Sequence, residues 1–316
     1  MRAEAVLGLW QDRDPSEAMT TARLAAELGY RRLWIGEMAT FDAFALATAV
    51  AMTIPDIEPV VGPLAVTVRT PVNIALGVAS VATLTGRSTH VALGTSSKVV
   101  VERWHGRSRR GASEQLAATA QAVRTMLAGE RDPVSGFRLR LPPCAADIAI
   151  AAFGDKAVVA AAAHADRMVL NMVTPAAVAR YRRTLDTAGA GEVGLAAWLS
   201  TAVDPTPEDI AQIRMAAVGY LAAPGYGEMF AEAGFGAVVD MAREGMAPRQ
   251  LLAAIPDGFE QSVGLVGSRS EVARLVDDYR AAGLEAVCVV PVTASGDLGR
   301  NALGVVAALT DASGAG

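Results

Sequence analysis

The sequence predicts a single (β/α)8 barrel of the TIM type, with insertions after strands four and seven. Three observations predict it. Short β-type apolar runs alternate with longer helical stretches along the chain, the pattern of βα units around a parallel sheet. Eight such runs are found, the number that this closed architecture needs. No internal repeat or low-complexity linker divides the 316 residues, so 1–316 reads as one domain, a size that α/β barrels reach with one core.

The elements follow in chain order. AVLGLW at 5–10 is the first strand, and a helix runs from Pro15 and Ser16 through Leu28, stopped by Gly29. RLWIGE at 32–37 is the second, followed by a helix with Asp42 as N-cap that reaches about Met52. The third strand lies around 60–68, and its helix, 71–84, opens on Pro71, a residue tolerated in a first turn. STHVALGTSS carries the fourth. VVVERWHGRSRR after it is long enough for a working loop, and a helix spans about 112–128. Turn formers at Asp132-Pro133, Gly136 and Pro142-Pro143 interrupt the pattern until the fifth strand, DIAIAAFG at 147–154. RMVLNMVT at 167–174 and EVGLAAWLSTAV at 192–203 are the sixth and seventh. Residues 205–256 form a helical excursion, a helix at about 269–282 precedes the eighth strand, AVCVVPVT at 286–293, and 297–309 closes the chain.

Composition narrows the function classes. With 52% hydrophobic and 19% charged residues the chain has the apolar surface for a large core and too little charge for disorder. Net charge is −5, and no basic stripe with interleaved aromatics runs along the chain, so no nucleic-acid partner is expected. Cys144 and Cys288 show no paired spacing, which fits a reducing cytoplasm. The start is too quickly polar for a signal peptide, and no apolar run reaches the roughly 18 residues of a membrane span. The expectation is a cytoplasmic protein without a membrane partner.

In such a barrel, sites form on the loops after the strand C-termini, here Trp10 and the segments 37–44, 66–69, 94–105, 153–156, 171–174, 200–204 and 291–293. His90, His105 and His164 lack ligand spacing, so no metal site is expected, and there is no GxSxG, Walker or GxGxxG motif. A site so poor in acids and bases points to a cofactor that supplies the chemistry. Gly94, Thr95, Ser96, Ser97 and Lys98 offer donors and a point charge for a phosphate or a polar ring edge. Phe153, Gly154, Asp155 and Lys156 open a helix and suit a phosphate as well; Gly154 as a turn, Asp155 as an N-cap and solvated lysines are the alternative, but Lys98 and Lys156 on one barrel face of a lysine-poor chain favour an anion. His105 is either a site residue or loop packing, while Trp104 beside it is placed to cover a ring or a substrate. Trp10, at a strand end, is the best substrate contact among the strand tryptophans, which include Trp34 and Trp198. The glycines at 219, 225, 227, 234 and 236 around Tyr220, Tyr226 and Phe230 fit a substrate lid or a dimer interface, and the residues leave both open.

Several blocks share an order with a known family. Leu33-Trp34-Ile35-Gly36-Glu37, Phe41-Asp42-Ala43-Phe44, Gly62-Pro63-Leu64-Ala65-Val66-Thr67 with Arg69-Thr70-Pro71, Gly86-Arg87 and Leu93-Gly94 come first. Ala152-Phe153-Gly154-Asp155-Lys156 with Ala165-Asp166, then Val266-Gly267-Ser268 through Tyr279 and Ala282-Gly283, follow. Together they resemble the bacterial-luciferase-like flavin and deazaflavin oxidoreductases over nearly the whole chain. The segment 99–106 and Tyr220 with Pro224-Gly225-Tyr226 look most like an actinobacterial subgroup that is assigned to coenzyme F420.

The resemblance implies a homodimer and an F420 coenzyme, with FMN as the alternative. It puts Glu37 at the polar edge of the coenzyme ring and a cis peptide at Ala65-Val66, in a bulge behind the ring, with Thr67 next to it. Met38 and Ser97 stand where sugar-phosphate dehydrogenases of the family carry a histidine and a glutamate, which removes the acid–base pair for alcohol oxidation. The implied reaction is hydride transfer from reduced F420 to an activated C=C or C=N bond of a small molecule or of a dehydroamino acid in a modified peptide. Glu37, Trp104 and His105 are then the catalytic candidates, and Trp10, Phe41, Tyr220, Tyr226 and Phe230 the substrate contacts. An FMN-dependent monooxygenase and a non-catalytic deazaflavin-binding protein are the alternatives.

Overall fold

The computed structural model describes residues 1–8, 10, 13–151 and 153–310. Its strands are β1 (Arg2–Leu7), β2 (Arg32–Ile35), β3 (Glu58–Ala65), β4 (His90–Gly94), β5 (Ile148–Ala151), β6 (Arg167–Asn171), β7 (Gly194–Val203), β8 (Leu265–Gly267) and β9 (Ala286–Pro291). From β1 to β7 each pairs in parallel with the next, and β9 lies between β7 and β1, which closes an eight-stranded barrel. β8 stands outside this ring, paired only with the Thr201–Val203 end of β7. The expected eighth strand is therefore β9, and β8 is an addition.

Local chemistry explains the helix starts. Asp42 accepts from the Phe44 and Ala45 N–H groups, both at 3.0 Å, and so caps the helix Ala43–Thr53. Thr70 does the same for Pro71–Thr85, whose first residue has no N–H to leave unpaired. After β4 the chain makes a π-helical turn, Val99–Trp104, before the helix Ala112–Leu127. Between β7 and β8 it runs through the helices Pro207–Val218, Tyr226–Phe230, Gly236–Arg243, Pro248–Ala254 and Phe259–Val263. Among the described residues no helix is long and apolar enough to cross a membrane.

Two expectations need correction. The first strand starts at Arg2, not at residue 5, because Glu4 belongs to it with its side chain buried inside the barrel. Arg167 neutralises that carboxylate at 2.8 Å and Trp34 Nε1 donates to it at 2.7 Å. The cis peptide is Gly62-Pro63, not Ala65-Val66. Proline's tertiary amide admits the cis form far more readily than a secondary amide does. The bulge of β3 lies there too, as a register shift between Val61 and Leu64.

Alternate strand residues fill the barrel: Val6, Trp34, Val60, Ala92, Ala149, Val169, Ala196 and Cys288 pack together in the interior. The N-terminal end is closed by charge. Arg32 reaches Asp147 at 2.8 Å and Glu58 at 3.3 Å, and His90 Nδ1 accepts from the Asp147 N–H at 3.0 Å. Towards the other end the floor becomes small. A Cβ on Gly36 would stand 3.5 Å from the Trp198 ring, and one on Gly94 would stand 3.4 Å from the Cβ atoms of Ala151 and Pro63.

Candidate active site

Three features mark the C-terminal mouth as the site. The small floor of Gly36, Gly94 and Ala151 leaves a shallow cradle that ordinary side chains would fill. Ser96, Met172, Asp204 and Leu298 have positive φ without being glycine, and all four lie on loops that leave the C-terminal ends of β4, β6, β7 and β9. Such conformations persist where the surroundings enforce them, most often at sites. Thr40 Oγ1, Thr67 Oγ1, Trp198 Nε1 and Thr293 Oγ1 are buried without hydrogen-bond partners, on or after β2, β3, β7 and β9. Each unpaired buried polar group costs about 1–3 kcal/mol, so these four are groups that a ligand at this end would pair; the other unpaired buried atoms, on Glu4, Arg87, His90, Arg167 and Gln261, lie elsewhere in the molecule. A cleft of about 530 Å³ lined by Arg23, Tyr30, Arg31 and Ile54 lies at the opposite end, the face that serves stability in barrels of this type.

The loop after β2 is held by one guanidinium. Arg69 Nε donates to Glu37 Oε2 at 2.9 Å, and Arg69 Nη2 reaches both Glu37 Oε1 and Asp42 Oδ2. Its guanidinium carbon lies 5.2 Å from the centre of the Phe44 ring. The hydrogen bond that Arg69 donates to Glu37, with that to Asp42, raises the Arg69 pKa against the opposing effect of burial. Burial pulls the Asp42 carboxyl up, but the Ala45 N–H and Arg69 outweigh it and hold the group below its usual range. Glu37 is thus half-buried and engaged through both oxygens, and Phe41 stands partly exposed on the same loop. Ala65 and Val66 are buried beside it, and the Val66 carbonyl accepts from Gln115 Nε2 at 2.8 Å.

On the β4 side, Gly94 is buried at the strand end, and the Thr95 carbonyl and Oγ1 accept from Arg109 at 3.5 and 3.3 Å. Ser97 Oγ accepts from Val100 N–H at 3.2 Å and starts the π-helical turn, while Ser96 and Lys98 are exposed. Val101 seats that turn in the core, Trp104 is 50% exposed and His105 is exposed beside it. On the β5 side, Gly154 (φ 87°) precedes the helix Asp155–His164. Lys156, expected as an anion ligand, is exposed and already paired with Glu114 at 3.1 Å. The side chain of Asp155, like residue Ala152, lies outside the described residues.

The excursion after β7 reaches back over β5 and β6. Tyr226 stacks on Phe153, and Tyr220 lies 4.7 Å from the Tyr226 ring. Burial raises the pKa values of both phenols against a smaller opposing effect of the nearby Asn171 side chain, so both stay protonated. Phe153 therefore faces the excursion. Phe230, expected as a substrate contact, is fully buried against Phe259 and belongs to the core. Trp10 Nε1 donates to the Pro291 carbonyl at 3.0 Å and ties the end of β1 to the end of β9.

Arg69 and Asn171 lie in the segments 66–69 and 171–174 expected to form the mouth but carry no role assigned from the sequence, and Trp198, expected as barrel packing, brings an unpaired N–H to it. For Asn171 and Trp198 a signal existed: both continue the inward alternation, from Val169 and Ala196. Arg69 has none, since its partners come from another loop. The donors and the cradle fit a flat ring with a polar edge. Among the described residues, no three or more His, Cys, Asp or Glu side chains group as metal ligands do.

The sequence matches the model of the luciferase-like monooxygenase family over residues 3–286. Comparison with curated proteins gives no match. In structure the chain is similar to the coenzyme F420-dependent tetrahydromethanopterin reductase from Methanopyrus kandleri, with a TM-score of 0.78 and 14% identity over 98% of this chain and 99% of that one. It is also similar to an F420-dependent secondary alcohol dehydrogenase in complex with an F420–acetone adduct, with a TM-score of 0.76 and 13% identity over 99% of this chain and 98% of that one. The oxygenating constituent of 3,6-diketocamphane monooxygenase from Pseudomonas putida, in complex with FMN, gives 0.66 and 14% over 97% and 96%. At such identities the likeness to solved structures shows the shared barrel, whereas the family match spans most of the sequence: the chain belongs to the luciferase-like monooxygenase family.

Proposed function

We propose that the protein is a coenzyme F420-dependent reductase that directs hydride to an activated C=C or C=N bond of a small molecule or of a dehydroamino acid in a modified peptide. The observation that carries the direction is Glu37: Arg69 engages both of its oxygens, so the carboxylate at the ring edge is not free to act as a base on an alcohol. Bound deazaflavin supplies a two-electron hydride and, with carbon in place of the flavin N5, reacts poorly with oxygen.

The chain's own residues bind and orient. Gly36, Gly94 and Ala151 shape the floor, and the Thr67 and Thr40 hydroxyls and the Trp198 N–H pair with the polar ring edge. Thr95, Ser96, Ser97 and Lys98 take the phosphate. Trp104 covers the substrate, with Trp10, Phe41 and Tyr226 around it, and His105 delivers the proton to the other atom of the double bond, a carbon in C=C or the nitrogen in C=N. On this reading the protein works as a homodimer and the excursion is a lid.

The test incubates the reduced coenzyme anaerobically with a panel of enones, imines and a dehydroalanine peptide while coenzyme absorbance is followed. Reoxidation by one of these acceptors is expected. Turnover confined to alcohols with the oxidised coenzyme would reverse the direction. Oxygen-dependent turnover with reduced FMN would make the protein a monooxygenase, and binding without any turnover a carrier.

A further inference from the structure

Residues 98–110 carry Lys98, Arg103, Arg107, Arg109 and Arg110 against one acid, Glu102, in a chain whose net charge is −5. Arg109 turns back to Thr95. Among the described residues the side chains of Lys98, Arg103, Arg107 and Arg110 have no ion-pair or hydrogen-bond partner, and Glu102 does not pair with Arg103 beside it. The cations stand on an ordered support: Val101 is fully buried within the π-helical turn, and its carbonyl accepts from the Arg107 N–H at 2.9 Å. Concentrating like charges costs self-repulsion, which an anionic ligand would relieve.

Position indicates which anion. The cluster begins where Thr95, Ser96 and Ser97 end, at the proposed phosphate position. On the neighbouring side, Tyr220 and Tyr226 cover the ends of β5 and β6 through Phe153 and Asn171. A ligand tail that continues from the phosphate therefore leaves the mouth over the β4 turn, along the arginines. We infer that residues 98–110 form a subsite for the acidic tail of the deazaflavin coenzyme, a chain of γ-linked glutamates beyond its phosphate, and that this subsite helps to select the coenzyme over FMN, which ends at its phosphate. The inference rests on the deazaflavin reading above. Each exposed charge pair is weak alone and screened by salt, so the subsite acts through its number of cations and is sensitive to ionic strength.

The experiment is a fluorescence titration of wild type and of the Arg103→Gln/Arg107→Gln/Arg110→Gln variant with three probes: tail-bearing F420, its ribitol fragment without phosphate or tail, and FMN. At low salt the variant should lose roughly 10-fold in affinity for tail-bearing F420 and keep its affinity for the fragment. Without any mutation, raising the salt concentration should weaken tail-bearing F420 on wild type much more than the fragment. Equal salt dependence for the two, or a variant that binds tail-bearing F420 as tightly as wild type does, overturns the subsite and leaves the deazaflavin reading standing if wild type still prefers F420 to FMN. Failure of wild type to bind either deazaflavin overturns both.

Discussion

The Tyr226 ring lies flat on the Phe153 ring, with centroids 3.9 Å apart and planes 18° from parallel. One aromatic contact thus fastens the excursion after β7 to the end of β5. Behind it, Phe153 meets Tyr181 edge-on at 5.8 Å, and Phe230 continues the ring stack inward to Phe259. The excursion is built into the core at its base and carries its tyrosines at the mouth.

Removing the upper ring should separate these two roles. Tyr226→Ala should cost about 2–4 kcal/mol of stability, and Tyr226→Phe, which keeps the stack and loses only the hydroxyl, no more than about 1 kcal/mol, read from urea unfolding. If the excursion is a lid, Tyr226→Ala and Trp104→Ala also raise KM or lower kcat for substrate while coenzyme affinity and oligomeric mass stay unchanged. Loss of the oligomer with intact kinetics would place these residues at an interface instead.

Arg69 should resist its usual conservative replacement. A lysine offers one point charge where Glu37 and Asp42 are met by a planar fork, so Arg69→Lys should recover little of the roughly 1–3 kcal/mol that Arg69→Ala loses. Because Asp42 titrates below its usual range when folded, its contribution is complete above the unfolded pKa near 4 and is lost as pH falls through the folded value. Acid unfolding midpoints of the two variants should therefore converge, both at higher pH than wild type. A wild-type acid midpoint for Arg69→Lys would show that charge alone suffices.

His90 predicts a second acid effect at a higher pH. Burial, with Arg32 nearby, lowers its pKa from the ordinary 6.5 against the opposing pull of Asp147 and Glu58. Its Nδ1 accepts the Asp147 N–H and so must be unprotonated. The unfolded chain then binds more protons, so stability is complete above pH 6.5 and declines as pH falls from there to the folded pKa, below which it levels off. Thermal melts between pH 7.5 and 5 should show the decline in wild type and not in His90→Asn. A flat wild-type profile would contradict the neutral, buried histidine.

Much of this frame was legible in the chain because its cause is local. Parallel barrel strands are buried on both faces and read as apolar runs, and Asp42 and Pro71 mark helix starts through their own backbone chemistry. What failed to show depends on distant partners. Glu4 looks like a polar residue ahead of a strand until Arg167 is found beside it, and Lys156 looks like a free cation until the adjacent helix brings Glu114. The three-residue β8 is too short to show a period. Phe230 has the same composition signature whether it faces a core or a substrate, and only the packing against Phe259 decides.

The cradle gives the sharpest structural test. Gly94 is not in the left-handed region, and a Cβ there would sit at ordinary contact distance, so Gly94→Ala should fold and gain up to about 1 kcal/mol from a stiffer unfolded chain. On the proposed reading the ring would rest on this floor, which the same methyl would occupy, so coenzyme affinity should fall sharply. Unchanged affinity would move the ring away from β4.

On the proposed function this mouth holds a deazaflavin. The direct measurement is an equilibrium titration of wild type and Gly94→Ala with F420 and, separately, with FMN, followed by the fluorescence of each ligand. F420 should bind wild type more tightly than FMN does and lose that affinity in Gly94→Ala. FMN binding as tight as F420 or tighter, or F420 binding that ignores Gly94→Ala, would contradict the account.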